Sequence, residues 1–387
     1  MTNGNTDFDI AIAGGGIVGC ACALACAQRG LSVVLVERDV LGSGATAAGM
    51  GHLVVMDDSE AQFSLTRYSQ LLWNRLEMPA AAEYRQIGTL WIAADSEEME
   101  AAEQKYAHYR EHDVPCRLLT AAELTSAEPN LAPGLAGGLL VPEDGAVYPP
   151  VVAWTLARRA EALGAQLMVG RTVRSMGHGH MLLDDGTELR AQKLVYALGA
   201  ETVSLGLELP IRKRKGHLVI TDRYPGLVHR QLVELGYLKS AHSSTSDSVA
   251  FNVQPRATGQ LLIGSSRQFG AEHSGIDQHI LSAMLARTAL YLPAVSTLSA
   301  IRVWTGFRAA TPDKLPLIGP VPGNPTLWLA AGHEGLGITT SLATAELLAC
   351  AFTGAAPTIS PEPYLPSRFS MVSDLASSTS STTLEKS

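Results

Sequence analysis

The sequence has few cysteines, and their arrangement excludes two classes of protein. Five cysteines occur in 387 residues, and Cys20, Cys22 and Cys26 stand within seven positions of one another. The odd count argues against a secreted disulfide framework. The C-x-C-x3-C spacing has no nearby histidine or second cysteine pair that would complete a zinc site. We interpret the three residues as core cysteines of a buried helix and predict no metal site.

Basic residues and long apolar runs are also scarce. There are 29 lysines and arginines against 37 aspartates and glutamates, so the net charge is −8 and nucleic acid is not an expected partner. The apolar segment 11–27 is interrupted by glycines 14–16 and preceded by Asp7 and Asp9. It is shorter than the ~20 residues that cross a bilayer. These features predict a soluble, cytoplasmic protein without a membrane span.

Three glycines stand at the spacing of a dinucleotide-binding turn. Residues 9–13 and 31–37 (LSVVLVE) have strand patterns and flank a helix-like segment of small apolar residues. Gly14 allows a tight turn, Gly16 lets a pyrophosphate approach the backbone, and Gly19 lets helix and strand pack closely. The start of the helix offers unpaired N–H groups to the phosphates. This segment therefore predicts a dinucleotide site.

Glu37 narrows the choice of dinucleotide. It ends the second strand 18 positions after Gly19, where a carboxylate can bind both hydroxyls of a ribose. The same carboxylate would repel the 2′-phosphate of NADP. The segment by itself leaves FAD and NAD open.

The later blocks of the sequence carry a family resemblance. Glu37-Arg38 is followed by the small-residue loop 42–51 (GSGATAAGMG), and later come 198–200 (LGA), 306–320 (GFRAATPDKLPLIGP) and 331–341 (AGHEGLGITTS). With these blocks the chain resembles, over nearly all of residues 8–355, the D-amino-acid oxidase / glycine oxidase superfamily of FAD-dependent oxidoreductases. Its segment 214–217 (RKGH), its GHEGLGIT block and its FNVQPRATGQLLIGSSRQ stretch are most similar to the flavin subunits of D-hydroxyproline or D-amino-acid dehydrogenases.

The resemblance implies FAD as the cofactor. No cysteine stands in an obviously matching position for covalent attachment of the flavin, so non-covalent binding is the expectation. Loop 42–51 would run under the pyrophosphate and against the isoalloxazine ring. The N–H groups of a helix start at 335–337 would face the N1–C2=O region of the flavin and stabilise negative charge on the reduced ring. The residues assigned to FAD are Gly14, Gly16, Ile17, Val18, Gly19, Glu37, Arg38, Ser43, Gly44, Ala45, Thr46, Gly49, Met50, Gly51, Val173, Leu198, Gly199, Gly332, Gly335, Leu336, Gly337 and Ile338.

Arg308 occupies the position of the family's carboxylate-binding arginine. A guanidinium can grip a carboxylate through two parallel hydrogen bonds, which would hold an amino acid with its Cα–H aimed at a flavin nitrogen. Gly306 would allow close approach of the ligand. The alternative is a surface ion pair between Arg308 and Asp313.

Two histidines are further candidates for the active site. His52 follows the flavin loop directly, and His333 precedes the helix start at 335–337. Ordinary packing is the alternative for each. His333 and Glu334 depart from the glycine oxidase pattern, which has a second basic residue here. Tyr148 and Tyr237 are candidate pocket walls.

The order of patterns along the chain predicts an α/β fold (α+β overall) with two interleaved domains, since 387 residues exceed one hydrophobic core. A Rossmann-like FAD-binding domain would comprise 1–85, 146–212 and 306–369. An antiparallel-sheet substrate domain would comprise 86–145 and 213–305. The serine- and threonine-rich tail 370–387 is expected to be disordered. Segment 115–145 is expected to be loop-rich because it contains four prolines, and 166–173 is expected to form one strand.

The predicted reaction is oxidation of the Cα–N bond of a small D-, cyclic or N-substituted amino acid to an imino acid by hydride transfer to flavin. The resemblance favours a dehydrogenase such as D-hydroxyproline dehydrogenase, in a homo- or hetero-oligomer with other redox subunits. Three alternatives stay open: a glycine or sarcosine oxidase that uses O2, an opine oxidase subunit, and a non-catalytic electron-transfer subunit. An NAD-dependent dehydrogenase is disfavoured because it leaves loop 42–51 unexplained.

Overall fold

A computed structural model describes residues 7–201, 208–236 and 247–369, so Tyr237 and the tail 370–387 lie outside the described residues. The helices are α1 (Ile17–Gln28), α2 (Gly44–Ala48), α3 (Glu60–Trp73), α4 (Ser96–Glu111), α5 (Ala121–Ala127), α6 (Pro149–Ala162), α7 (Gln278–Tyr291) and α8 (Gly337–Thr353). Short 3-10 helices span Ala80–Ala82, Pro293–Thr297, Glu362–Tyr364 and Pro366–Arg368.

The strands of the first half of the chain are β1 (Phe8–Ala13), β2 (Val33–Glu37), β3 (His52–Leu53), β4 (Thr89–Ala93), β5 (Arg117–Thr120), β6 (Gly137–Val141), β7 (Gly145–Ala146), β8 (Gln166–Val169), β9 (Val173–Gly177), β10 (His180–Leu183) and β11 (Glu188–Tyr196). The later strands are β12 (Arg212–Arg223), β13 (Gln231–Glu234), β14 (Ser248–Pro255), β15 (Gln260–Phe269), β16 (Ala300–Ala310), β17 (Leu317–Val321) and β18 (Asn324–Ala331).

One sheet carries the dinucleotide-type segments. Its strand order is β17-β18-β11-β1-β2-β8, and β9 and β10 pair at its side. β1 lies parallel to both β2 and β11, in a register that joins Ile10 to Val33 and to Lys193. Helices α1, α6 and α8 pack on this sheet in one hydrophobic core, which includes Cys20, Cys22 and Cys26. The interpretation of these residues as core cysteines is confirmed, and all five cysteines, each within the described residues, carry free thiols.

The second sheet has the order β16-β12-β15-β14-β13-β4-β6-β5. Neighbouring strands are antiparallel except β13 and β4, which run parallel. Its strands come from 89–141 and from 212–310, so the chain leaves the first sheet and returns to it twice. The predicted fold class is therefore confirmed. The exact domain boundaries stay a prediction, and the one at 305/306 falls inside β16.

Two local predictions were wrong. Segment 115–145 was expected to be loop-rich because of its four prolines, but it contains β5, α5, β6 and β7. The prolines lie in the connections, where no backbone N–H is needed for a ladder. The expected strand 166–173 is broken into β8 and β9, because Gly170 between them has φ of 77°. None of the helices in the described part of the chain combines the length and apolar character that a membrane-spanning segment requires.

Candidate active site

The glycine turn brings β1, α1 and the end of β11 into close contact. Gly14 has φ of 108°, and a Cβ there would lie 2.5 Å from the carbonyl oxygen of Ala197. A Cβ on Gly19 would collide with the carbonyl oxygen of Gly14. Neither position accepts a side chain, since the obstacles are backbone atoms. Gly16 is different, because its φ is −69° and a Cβ would approach only the Thr46 hydroxyl, at 3.2 Å.

The start of α1 is linked to loop 42–51 and to Glu37. Ile17 N–H donates to Thr46 Oγ1 at 3.0 Å, and Gly15 N–H donates to Glu37 Oε2 at 2.6 Å. The first turn of α1 has no acidic residue, and its N-cap Gly16 provides no side-chain cap. A helix start of this kind favours an anionic group. Gly16 and Val18 are partly exposed here, between buried neighbours.

The start of α8 meets both of these segments. A Cβ on Gly49 would lie 2.8 Å from Ile338 Cδ1, and a Cβ on Gly337 would lie 3.9 Å from Val18 Cγ2. The N-cap of α8 is Leu336, which offers no side-chain cap, and the first turn again lacks an acidic residue. Three separate chain segments therefore form one surface with two helix starts, and neither helix has an acidic residue in its first turn.

The remaining residues assigned to the cofactor border this surface in different ways. Ser43 is the N-cap of α2, in which Gly44 has φ of 59° and Ala45 is exposed. Gly51 has φ of 90°, and a Cβ there would collide with the carbonyl oxygen of Val147. Met50 packs against Leu218 and Leu262 of the second sheet, and Gly332 turns with φ of 79° beside Thr311.

The far end of the surface is formed by turns next to Glu37 and Gly14. Arg171 N–H donates to the main-chain carbonyl oxygen of Glu37 at 3.0 Å, which ties the segment leading to Val173 and β9 to the end of β2. Leu198 and Gly199 follow Ala197, whose N–H donates to Ala13 at 2.9 Å. Arg38 is exposed and pairs with Asp39 at 3.1 Å.

These residues fit a flavin dinucleotide. The uncapped starts of α1 and α8 suit a diphosphate and the N1–C2=O edge of a flavin, and Glu37 suits a ribose. The positions closest to the surface are glycines, and a Cβ added at any of them would project into backbone or into a neighbouring segment.

A cavity of about 120 Å³ lies between this surface and the second sheet. One wall comes from five strands of the second sheet, and the opposite wall from the segment after β3 and the segment before α8. The lining residues are His52, Val54, Met56, Asp58, Gln62, Trp91, Val233, Asn252, Arg267, Arg308, Lys314, Glu334, Gly335 and Leu336.

Arg308 extends from β16 into this cavity. Its guanidinium lies over Gly216, where a Cβ would be 2.6 Å from Nη1, and it donates to the carbonyl oxygen of Ser266 at 2.9 Å. Asp313, the surface partner considered for Arg308, is instead bound by Arg368, whose Nε lies 2.7 Å from the carboxylate. The lack of a side chain at Gly216 thus makes room for the guanidinium.

Buried groups on β12 and β15 support this arrangement. The Ser266 hydroxyl is bonded to His217 through the backbone N–H at 2.8 Å and lies 3.0 Å from its Nδ1. Burial, and then the nearby Lys215 charge, lower the pKa of His217. Lys215 is fully buried and donates to Asp277 at 2.6 Å. Ser266 is therefore fixed from two sides, and its carbonyl oxygen holds Arg308.

His52 is held in the cavity wall by amide side chains. Its Nδ1 contacts Gln231 Oε1, and its Nε2 lies 3.1 Å from Asn252 Oδ1. The Gln231 amide is oriented because its Nε2 donates to Gly145 at 2.8 Å, so its oxygen faces His52 Nδ1. Burial lowers the pKa of His52, against the opposing hydrogen bonds to Gln231 and Asn252. Burial therefore favours the neutral form of the ring.

His333 is placed differently from His52. It is not among the described residues that line the cavity, and its Nε2 lies 3.0 Å from the Thr344 hydroxyl on α8. Burial lowers its pKa to about 4, so the ring is neutral. The structure thus brings Arg308 and His52 to one cavity and places His333 behind the start of α8.

Charged side chains near the cavity are arranged in pairs. Glu334 pairs with Arg214, which is the direct cross-strand neighbour of Arg308. Glu334 adopts φ of 48°, a left-handed conformation that is uncommon outside glycine. Lys314 lies 3.4 Å from Asp58. The pairing of Arg214 with Glu334 compensates a second guanidinium next to Arg308.

Comparison with known proteins agrees with this geometry. Residues 9–351 match the model of the family DAO, described as FAD dependent oxidoreductase. The chain is 30% identical over 361 residues to glycine oxidase from Geobacillus kaustophilus, which covers 88% of this chain and 92% of that protein.

The chain belongs to the DAO family of FAD-dependent oxidoreductases.

Two further comparisons show how far the similarity extends. The solved structure of Geobacillus kaustophilus glycine oxidase superposes with a TM-score of 0.82 at 27% identity, covering 94% of this chain and 99% of that one. Hydrogen cyanide synthase subunit HcnC from Pseudomonas aeruginosa is 26% identical, over 89% of this chain and 92% of that protein. As a DAO-family member the protein is an enzyme with FAD as its cofactor, and both predictions are confirmed.

Sequence reasoning missed several residues of this DAO-family cavity. Trp91, Asn252 and Gln62 line it, and the Nε1 of Trp91 is buried without a hydrogen-bond partner among the described residues. A usable signal existed for one of them. Asn252 and Gln254 alternate on an otherwise apolar strand, so both lie on one face, and a buried polar pair needs partners there.

Proposed function

We propose that this enzyme oxidises the Cα–N bond of a small amino acid, with Arg308 binding the carboxylate. The proposal rests on the position of the Arg308 guanidinium. It lies where the cavity meets the surface formed by residues 14–19, 42–51 and 332–338, which we call the cofactor surface. Its Nη1 donates to the carbonyl oxygen of Ser266. Its Nε lies next to Gly335, because a Cβ placed on that glycine would be 3.7 Å from Nε. A carboxylate bound by this fork has a fixed orientation.

The other cavity residues have supporting roles. FAD, when bound, accepts the hydride. Val54, Met56 and Leu336 make the wall near the flavin surface apolar and keep water out. Burial favours the neutral form of His52, so the ring places no positive charge beside the substrate amine. Asn252 beside it offers an amide group to the amine.

We further propose a substrate of the D-hydroxyproline type, oxidised by a dehydrogenase reaction. Trp91 lines the cavity, and its buried indole N–H has no hydrogen-bond partner among the described residues. A substrate hydroxyl is the partner that we propose for this N–H. Glycine or sarcosine oxidation with O2 is the second candidate, favoured by the 30% identity to a glycine oxidase.

The test is anaerobic reduction of the purified holoenzyme by a panel of amino acids. D-hydroxyproline, D-proline, glycine and sarcosine should be compared by loss of the flavin absorbance. We expect bleaching by at least one of them, fastest with D-hydroxyproline. Failure of all D-, cyclic and N-methyl amino acids to reduce the flavin would end the proposal. Comparison of O2 with a dye acceptor then separates oxidase from dehydrogenase.

Replacement of Trp91 tests the substrate class more sharply. Trp91→Phe removes the N–H and keeps an aromatic ring. The preference in kcat/KM for D-hydroxyproline over D-proline should fall by roughly 10-fold, since a hydrogen bond to a buried donor is lost for one substrate only. An unchanged preference would separate Trp91 from the hydroxyl and leave the amino-acid class intact.

We also propose that the enzyme works with further redox subunits. One similar protein is named as a subunit of hydrogen cyanide synthase, which supports an assembly without identifying it. The five free thiols suit a reducing, cytoplasmic compartment. Native mass spectrometry of protein purified from its own source should detect additional chains, and a single-chain species under gentle conditions would contradict the assembly.

A further inference from the structure

The last turn of α4 groups three metal-binding side chains outside the active site. His108, Glu111 and His112 each offer a ligand atom, and these atoms lie within 4.8 Å of one another. The histidines are four residues apart on the helix and so share one face. This spacing of two helical histidines is the one that proteins use to bind zinc.

The two imidazoles are held in place before any metal arrives. Their centroids are 4.5 Å apart, and the ring of Phe63 from α3 lies 4.8 Å from each. His112 Nδ1 lies 2.9 Å from the carbonyl oxygen of His108. A carbonyl can only accept, so the proton is on Nδ1 and the lone pair is on Nε2. Metal-binding histidines use the same device to fix their tautomer.

The electrostatic surroundings favour a cation. α4 ends at Glu111, with His112 as its C-cap, so the negative end of the helix dipole faces the group. Glu60 at the start of α3 lies 3.9 Å from His108 Nε2 and is 78% exposed, so it is free to move toward a shared ion. Arg110 is two residues from His108 and projects from another face.

We propose that His108, Glu111 and His112 form a binding site for a divalent transition metal ion, and that Zn²⁺ and Cu²⁺ bind there most tightly. Imidazole nitrogens suit Zn²⁺, Ni²⁺ and Cu²⁺, and affinity rises toward Cu²⁺. Mg²⁺ and Ca²⁺ need mostly oxygen ligands and bind weakly here. This proposal concerns metal binding alone, and it holds whichever substrate the enzyme oxidises. With Glu60 as a further ligand, the ion would join α3 to α4.

The experiment is a zinc titration of tag-free holoenzyme in competition with a chromogenic chelator. One Zn²⁺ should bind per chain, and His108→Ala/His112→Ala should abolish that binding. Glu111→Gln should weaken it by at least the ~10-fold that loss of a supporting group costs a metal site. With Cu²⁺, the electron paramagnetic resonance spectrum should show coupling to two nitrogens, and the double variant should lose it.

Two control variants separate this site from chance binding. His279→Ala removes an exposed histidine of another helix, and Cys116→Ser removes the one thiol that is not fully buried. Both should retain the wild-type zinc stoichiometry. FAD content and circular dichroism check that the double variant is folded. Wild-type protein without zinc binding, or a double variant with unchanged affinity, would overturn the proposal.

Discussion

At the scale of single residues, Asp144 is an unusual buried carboxylate behind the cavity wall. It is fully buried, and its Oδ1 accepts from Val55 N–H at 3.1 Å and from Gln70 Nε2 at 3.0 Å. Burial raises its pKa from 3.8 to about 7, although hydrogen bonds from Thr89 and Val55 act in the opposite direction. The folded protein therefore keeps a proton that the unfolded chain has already lost.

This proton makes folding stability depend on pH. Between about pH 4 and pH 7 the folded state binds more protons at Asp144, so its contribution to the free energy of unfolding falls as pH rises. Asp144→Asn retains an Oδ1 acceptor and removes the titration. As pH rises through this window, the free energy of unfolding of the variant should increase relative to that of the wild type by at most about 1.4 kcal/mol per pH unit.

Urea unfolding at several pH values in saturating FAD measures that gain. The exposed Asp184→Asn serves as the matched control and should follow the wild type. Parallel pH profiles for Asp144→Asn and the wild type would contradict a raised pKa at Asp144.

Arg308 gives the second prediction at this scale. Arg308→Ala should raise KM by roughly 100-fold or more, because charge-assisted hydrogen bonds contribute about 1.5–3 kcal/mol each. Arg308→Lys should recover only part of this, since an ammonium cannot form two parallel bonds. The flavin spectrum should stay unchanged in both. Steady-state kinetics measure the effect, with the exposed Arg302→Ala on the same strand as control. An unchanged KM would remove Arg308 from the site.

At the scale of elements, Gly16 and Gly19 of the same turn have different structural roles. Gly19 separates α1 from the backbone of Gly14, and Gly16 lies at the open start of the helix. Gly19→Ala should therefore impair folding. Gly16→Ala should fold and lose affinity for FAD, because its methyl group stands where a pyrophosphate approaches.

Soluble yield, circular dichroism and FAD titration distinguish these outcomes. Gly177→Ala is a suitable control, since nothing lies within 4 Å of a Cβ there and its φ is not positive. If Gly16→Ala bound FAD as the wild type does, α1 would not hold the diphosphate.

Elements could be predicted from the sequence where a local pattern determines them. The β1–α1–β2 unit combines a strand, a glycine turn, a helix and a buried strand in adjacent segments, and each appears within a residue or two of its expected bounds. Segment 115–145 was mispredicted because prolines mark connections and also flank short elements such as β5 and β6. Residue pattern alone did not decide between these readings.

At the scale of the molecule, the cofactor surface depends on three separate segments. Gly14–Gly19, loop 42–51 and residues 332–338 contact one another through Gly49, Ile338, Gly337 and Val18. Each segment also belongs to a hydrophobic core, so FAD would cross-link regions that otherwise meet only through packing. FAD should therefore stabilise the whole fold.

The size of that stabilisation can be calculated. At 100 times its Kd, FAD should add about 2.7 kcal/mol to the free energy of unfolding. For a protein of this size the melting temperature should then rise by roughly 3 °C over the apoprotein. Differential scanning calorimetry measures the rise, and NAD⁺ at the same concentration should produce none. A melting temperature independent of FAD would contradict the convergence of the three segments on it.

The site itself was less predictable than the fold. Arg308 and His52 were found through family resemblance, and their roles stay predictions. The partners of His52 were missed because Gln231 is 179 and Asn252 is 200 residues away in sequence. Contacts across two sheets follow from topology, which a local pattern does not contain. The ligand of a cavity built this way is correspondingly hard to predict from the chain.

Because α8 lies near the end of the described chain, the ribosome synthesises it long after the glycine turn. Val18 and Gly337 approach each other at the starts of α1 and α8 although about 320 residues separate them. A ribosome that adds ~5–20 residues per second needs roughly 15–65 s to cover that distance. Throughout this interval the nascent chain displays the glycine turn without the helix that completes the site. If these segments hold FAD as we propose, the cofactor site is complete only after residue 337 and the rest of α8 have emerged, and the growing polypeptide should be colourless until then.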